Sequence, residues 1–270
     1  MEPVAVIIPT LNEVEAIGDV IREIPRDLVR EIIIADSGSR DGTVEAARAA
    51  GARTIAVDRR GYGRACAAGA EAAAAECGVL VFLDGDGADR GDLMAQLVAP
   101  IHDGSHDFVI ASRTRGVREP GSMIWHQVLA GRLAGQGIGA LYGVRYTDMC
   151  AYRAIRRDCL RRLDMREMTY GWNIEMQMKA ARAGMRILEV PMPYRRRAGG
   201  TSKVAGSLRG TVRAASRIVA TFGRVALSRP PTVLTAALDV RTNIWLTPPS
   251  TVPASARSGP GRFDEGAVDP

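Results

Sequence analysis

Five apolar residues, Val79-Leu80-Val81-Phe82-Leu83, run directly into Asp84-Gly85-Asp86. A short apolar run bounded by glycine reads as a strand buried on both faces, an environment found inside a parallel sheet covered by helices. The flanking sequence repeats that theme. Val4–Ile8, Glu31–Ala35, Thr54–Val57 and Phe108–Ser112 read as further strands, and 13–24, 43–50, 61–76 and 91–101 as the helices between them. Strand–helix alternation of this kind predicts one α/β domain, with a Rossmann-like, mostly parallel mixed sheet and helices on both faces. The second half is less regular, with helices expected over 125–141, 169–183 and 207–226 and a strand over 186–190.

Composition narrows the class. At 270 residues, 46% hydrophobic and 24% charged, the chain has the make-up of an ordinary globular domain with a tail. No stretch approaches the roughly 20 apolar residues of a bilayer span, and a strand begins almost at once with no leader before it. The expectation is a cytoplasmic protein, or one resting on the cytosolic face of a membrane. Cys66, Cys77, Cys150 and Cys159 lack disulfide or zinc spacing and read as reduced, buried thiols. The net charge of +6 is concentrated between Arg195 and Arg229, which holds nine basic residues and no acidic one. Such a block fits a phosphorylated substrate or an anionic membrane surface; nucleic acid is disfavoured, because interleaved aromatics and a binding module are missing. Within it, Leu208, Val212, Ala215, Val219, Phe222 and Ala226 form a stripe expected to pack on the sheet, beside a row of arginines. Membrane docking is the alternative role for that helix. Residues 228–270 read as a Pro-rich flexible tail, disordered from 247 onward.

The acidic residues at strand ends carry the chemistry. Glu13 follows the first strand, Asp36 ends the second, and Asp84 and Asp86 follow the fourth. Carboxyl ends of parallel strands share one edge of the sheet, so these groups should converge on one cleft. Asp36 can accept a hydrogen bond from a base imide or a ribose hydroxyl. Asp84 and Asp86 can hold Mg²⁺ or Mn²⁺ against a pyrophosphate. Glycine-loop nucleotide motifs are absent: Pro9-Thr10-Leu11-Asn12-Glu13 occupies the place of a dinucleotide fingerprint, and no P-loop exists. Hydride transfer and P-loop phosphoryl transfer are therefore not expected.

Pro9-x-x-Asn12-Glu13, Asp36-Ser37-Gly38-Ser39 with Asp41-Gly42-Thr43, and Leu83-Asp84-Gly85-Asp86 resemble the family 2 glycosyltransferases of GT-A fold. Ser112-Arg113, Asp148 with Arg153, Gly171-Trp172-Asn173-Ile174-Glu175-Met176, Glu189-Val190-Pro191 and Arg197-x-x-Gly200-x-Ser202-Lys203 resemble the dolichol-phosphate (polyprenyl-phosphate) mannosyltransferase branch. The resemblance runs in order from Val4 to Leu227. It implies a GT-A domain over 1–227, with a nucleotide-sugar half (1–115) and an acceptor half (116–227). It also implies a metal-dependent, inverting transfer of a hexose from a nucleotide diphosphate to polyprenyl phosphate.

On that resemblance Pro9, Asn12, Glu13 and Asp36 line the donor pocket, with Asp84 and Asp86 on the metal side. Arg113, Arg197, Ser202 and Lys203 hold phosphates of donor or acceptor. Asp86, Asp148 and Glu175 lie near the reacting sugar, and Asp148 is the candidate base should the acceptor be a hydroxyl. Ala88 stands where some relatives carry a further metal-side polar group. Two other readings accompany this one: the same fold with a soluble hydroxyl acceptor, and a non-catalytic nucleotide-sugar-binding protein.

Overall fold

The structure, a computed structural model, describes residues 1–199 and 208–228. Its strands are β1 (Val4–Thr10), β2 (Glu31–Asp36), β3 (Arg53–Ala56), β4 (Val79–Phe82), β5 (Phe108–Ser112), β6 (Arg153–Arg156) and β7 (Ile187–Pro191). Its helices are α1 (Val14–Glu23), α2 (Thr43–Ala49), α3 (Tyr62–Ala72), α4 (Ala95–His102), α5 (Trp125–Tyr142), α6 (Arg157–Leu163), α7 (Trp172–Arg182) and α8 (Leu208–Leu227). The strands form one sheet in the order β3-β2-β1-β4-β6-β5-β7. β1 pairs in parallel with β2 and β4, placing Ile7 beside Ile33 and Phe82. β6 runs antiparallel to both β4 and β5, and β5 pairs in parallel with β7. Val4 to Ile8 and Val79 to Phe82 are all buried, as continuous apolar runs in a two-sided sheet should be.

The chain steps from β1 to β2 to β3 in one direction and then returns past β1 to form β4. Right-handed crossovers therefore place α1 and α2 on one face of the sheet and α3 on the other. The reversal between β1 and β4 opens a crevice at their carboxyl ends, where open α/β sheets bind ligands. α3 packs closely on the sheet because its buried face is small: a Cβ at Gly69 would collide with Ile7.

Two elements lie outside the sequence expectations. β6 reads Arg-Ala-Ile-Arg, so its charged ends hide a buried strand, and α6 follows it directly. Arg153 is wholly buried; its guanidinium donates to the carbonyls of Ala151, Asn173 and Cys150 and faces the Phe108 ring. α7 begins at Trp172 rather than 169. The preceding residues cap α3 instead, Arg64 N–H donating to the Met168 carbonyl and Gly63 N–H to that of Thr169.

α8 forms as expected, but its apolar stripe is turned partly outward. Ala214, Thr221 and Val225 are the buried residues, while Val212, Ala215 and Val219 are exposed. Polar anchors set this rotation: the Thr221 hydroxyl donates to Glu167 Oε2 at 3.0 Å, and Arg182 donates to the Val225 carbonyl at 3.1 Å. No helix among the described residues is long and apolar enough to cross a membrane. Of the expected tail, 228–270, all but Ser228 lies outside the described residues.

Candidate active site

A cleft of about 760 Å³ opens at the β1/β4 crevice. One wall comes from Pro9, Thr10, Glu13 and Ser37, and the floor from Tyr62 and Asp84 to Asp86. Asn173 and its neighbours, Arg197 and one side of α8 complete it. Burial, and after it the Asp86 carboxylate, pushes the Asp84 carboxyl up to about 6. Ionised Asp84 is thus penalised by burial and by its like-charged neighbour, a penalty that a bound cation would relieve. Asp86 accepts from Ala88 N–H through Oδ1, and its Oδ2 lies 3.3 Å from Arg197. The same guanidinium pairs with Glu13 at 3.2 Å. Among the described residues no group of three or more His, Cys, Asp and Glu could hold a metal. A divalent ion on Asp84 and Asp86 would take its remaining oxygens from substrate, which suits Mg²⁺ or Mn²⁺.

Asp36 and Asn12 build the wall rather than face the cavity. Asp36 Oδ2 accepts from the backbone N–H groups of Gly38 and Ser39, each at 2.9 Å. Its Oδ1 accepts from the hydroxyls of Thr10 and Ser39. Asn12 adopts a left-handed φ of 54° and accepts from Arg40 N–H. Asn tolerates that conformation better than most residues. Both residues fix the loop that presents Ser37 to the cavity.

Arg113, Asp148 and Glu175 are not brought to the cleft. Arg113 donates to Asp148 through Nε at 2.8 Å, Nη2 at 2.7 Å and its backbone N–H at 2.9 Å, and it stacks on Tyr194. Burial alone would raise the Asp148 carboxyl, but the Arg113 charge and hydrogen bonds outweigh it and hold the group low. Glu189 Oε1 in turn accepts from the Thr147 and Asp148 N–H groups. Asp148 is thus a fully committed buried carboxylate, poorly suited to take a proton. Glu175 is also buried: Oε2 accepts from the N–H groups of Arg166 and Glu167, and Oε1 pairs with Lys179 at 3.0 Å. It holds the 166–167 turn against α7, and neither Asp148 nor Glu175 lines the cleft. Ser202 and Lys203 lie outside the described residues.

Residues 5–164 match the family described as Glycosyl transferase family 2. The chain belongs to that family. It is 34% identical over 226 residues to undecaprenyl-phosphate mannosyltransferase of Micrococcus luteus, spanning 77% of this chain and 89% of that one. It is 36% identical over 204 residues to dolichyl-phosphate hexose transferase of Haloferax volcanii, spanning 74% and 86%. Glucosyl-3-phosphoglycerate synthase from Mycobacterium tuberculosis, solved with Mn²⁺, UDP and glucosyl-3-phosphoglycerate, superposes with a TM-score of 0.67 at 24% identity, over 83% of this chain and 80% of that one. That likeness supports the GT-A-like fold.

As a family 2 glycosyltransferase the chain shows further cleft residues that sequence reasoning passed over. The Tyr62 hydroxyl and Asn173 Oδ1 are buried, with the Tyr62 hydroxyl next to both Asn173 and the Asp84 carboxyl. Both line the cavity beside Asp84. Asn173 lies within the Gly171–Met176 segment already singled out, while Tyr62 sits at the start of α3 with nothing in its neighbours to mark it. Arg60, Arg213 and Arg217 line the cleft as well, and none of their guanidinium groups has a hydrogen-bond or ion-pair partner among the described residues. Asp89, beside Ala88, is a further buried carboxyl outside the cleft lining; burial first, then Asp84 and Asp86, pushes it well above the usual range.

Proposed function

We propose that this enzyme transfers a hexose, with inversion, from a nucleotide diphosphate sugar to the phosphate of a polyprenyl phosphate. One observation carries the reading: a single cleft joins an acidic site, Asp84 and Asp86, to three arginines, Arg60, Arg213 and Arg217, whose guanidinium groups have no ion-pair partner among the described residues. Pro9, Glu13 and Ser37 would enclose the nucleoside. Asp84 and Asp86 would hold Mg²⁺ or Mn²⁺, which supplies charge neutralisation for the departing diphosphate. The arginines would hold the acceptor phosphate, and Arg197, already on Asp86 and Glu13, is placed to meet donor phosphates when they arrive.

In the transfer, an acceptor phosphate oxygen forms the new bond to the anomeric carbon. The bond from that carbon to the diphosphate oxygen breaks, and the nucleoside diphosphate leaves with the electron pair. The attacking phosphate is already anionic, so no carboxylate need remove a proton. That agrees with the commitment of Asp148 to Arg113. The names of the Micrococcus and Haloferax relatives support the lipid acceptor. The Mn²⁺ and UDP held by the structural neighbour accord with a metal-assisted donor site.

The test is release of nucleoside diphosphate from a panel of nucleotide sugars with Mg²⁺ or Mn²⁺, with and without a short-chain polyprenyl phosphate. Lipid-dependent release, lost in Asp86→Asn and lowered in Arg213→Gln/Arg217→Gln, is the expected result. Donor hydrolysis or binding that ignores the lipid would replace this acceptor with a soluble one.

A further inference from the structure

α5 is built inside out. The residues it buries are Gly131, Gly135 and Ile138, and a Cβ at Gly135 would collide with the Tyr146 carbonyl. Three of its large apolar residues face away. Trp125, Leu129 and Leu133 are 75%, 46% and 57% exposed. Spaced four apart, they form one stripe along a helix face. A helix that served only to cover the sheet would put these side chains inward, where each is worth about 1.5–3 kcal/mol of burial.

The outward surface continues onto α8. Gly137 meets the Phe222 ring, which marks the seam between the two helices. Leu133 and the exposed Leu141 stand one turn to either side of Gly137, and Val219, 71% exposed, stands one turn before Phe222. Neither helix contains an acidic residue, and Arg132, Arg213 and Arg217 are exposed on them. Charge decides what such a surface fits. Two copies meeting about a two-fold axis would set the same patch against itself, with arginines facing uncompensated arginines. An anionic leaflet complements the arginines, and a tryptophan–leucine face is what interfacial helices sink among lipid headgroups.

We infer that the α5–α8 face seats this enzyme peripherally on an anionic bilayer, with Trp125, Leu129 and Leu133 in the headgroup region. The apolar stripe of α5 is distinct from the cleft, whereas Arg213 and Arg217 of α8 belong to the cleft wall and adjoin this face. Seating it would bring the arginine-lined side of the cleft toward the lipid phosphates.

The experiment is co-sedimentation of the full chain with sucrose-loaded vesicles, without donor or acceptor, so that it stands or falls apart from the proposed reaction. Vesicles of phosphatidylcholine alone are compared with vesicles about one-third phosphatidylglycerol. The expected result is salt-sensitive binding to the anionic vesicles, about tenfold or more weaker in Leu129→Asp/Leu133→Asp. Both sites are solvent-facing, so the variant should fold, and an unchanged circular dichroism melt establishes that. Trp125 fluorescence should shift to the blue with anionic vesicles, and the shift should vanish in Trp125→Phe. Three outcomes would overturn the inference: no sedimentation of the wild type, equal partitioning of wild type and double variant, or a wild-type dimer that the double variant converts to monomer.

Discussion

Asp84 ends the central apolar strand in a place where burial and the neighbouring Asp86 raise its pKa to about 6. A carboxyl whose folded pKa lies above its unfolded value, about 4, lowers stability once the pH exceeds the folded value and has no effect below the unfolded one. Cation binding removes that penalty. Mn²⁺ is accordingly predicted to raise the melting temperature more at about pH 8 than at about pH 5, the window spanning the shift. Asp84→Asn should stabilise the metal-free enzyme at the higher pH and abolish the Mn²⁺ shift; equal Mn²⁺ shifts at both pH values would refute this. Asp148 has the opposite sign. Its pKa is depressed, so its pairing with Arg113 stabilises above the unfolded value and is lost as the pH falls through the folded one. Asp148→Ala leaves Arg113 without its partner and should cost about 3–5 kcal/mol in urea unfolding. A catalytic base would behave differently, losing turnover with an unchanged unfolding midpoint. The partners of Asp148 lie 35 and 41 positions away in sequence. Nothing local marked it as structural, whereas the Asp84/Asp86 pair was legible because it interrupts an apolar strand.

α8 shows what periodicity reports and what it leaves out. The three-and-four spacing identified the helix and nearly its ends, 208–227 against the expected 207–226. The most apolar arc is not the buried one, because Thr221 and the Val225 carbonyl are anchored by Glu167 and Arg182. Val219→Asp should therefore change stability by no more than about 0.5 kcal/mol, and Val225→Asp, which buries an unpaired carboxylate, should cost several times that. Urea midpoints of the two variants decide it, and the reverse order would return the stripe to the core. β6 was illegible for a related reason. A strand flanked by arginines reads as surface until Arg153 is seen to spend its donors on backbone carbonyls inside the fold.

The cleft draws on the whole chain. Pro9, Glu13, Asp84 and Asp86 come from the regular first half, and Asn173, Arg197, Arg213 and Arg217 from the second. Residues from both sides of position 115 thus line one cleft, and two of its arginines, Arg213 and Arg217, sit on α8. Neutralising Asp84 and Asp86 with a cation and a diphosphate is the central claim of this account. The most direct test is calorimetric titration of UDP and GDP into the full chain with and without Mn²⁺, in the wild type and in Asp86→Asn. One of the two nucleotides is expected to bind the wild type only when Mn²⁺ is present, and Asp86→Asn to lose the metal-dependent part. Equal affinity with and without Mn²⁺, unchanged in Asp86→Asn, would contradict it.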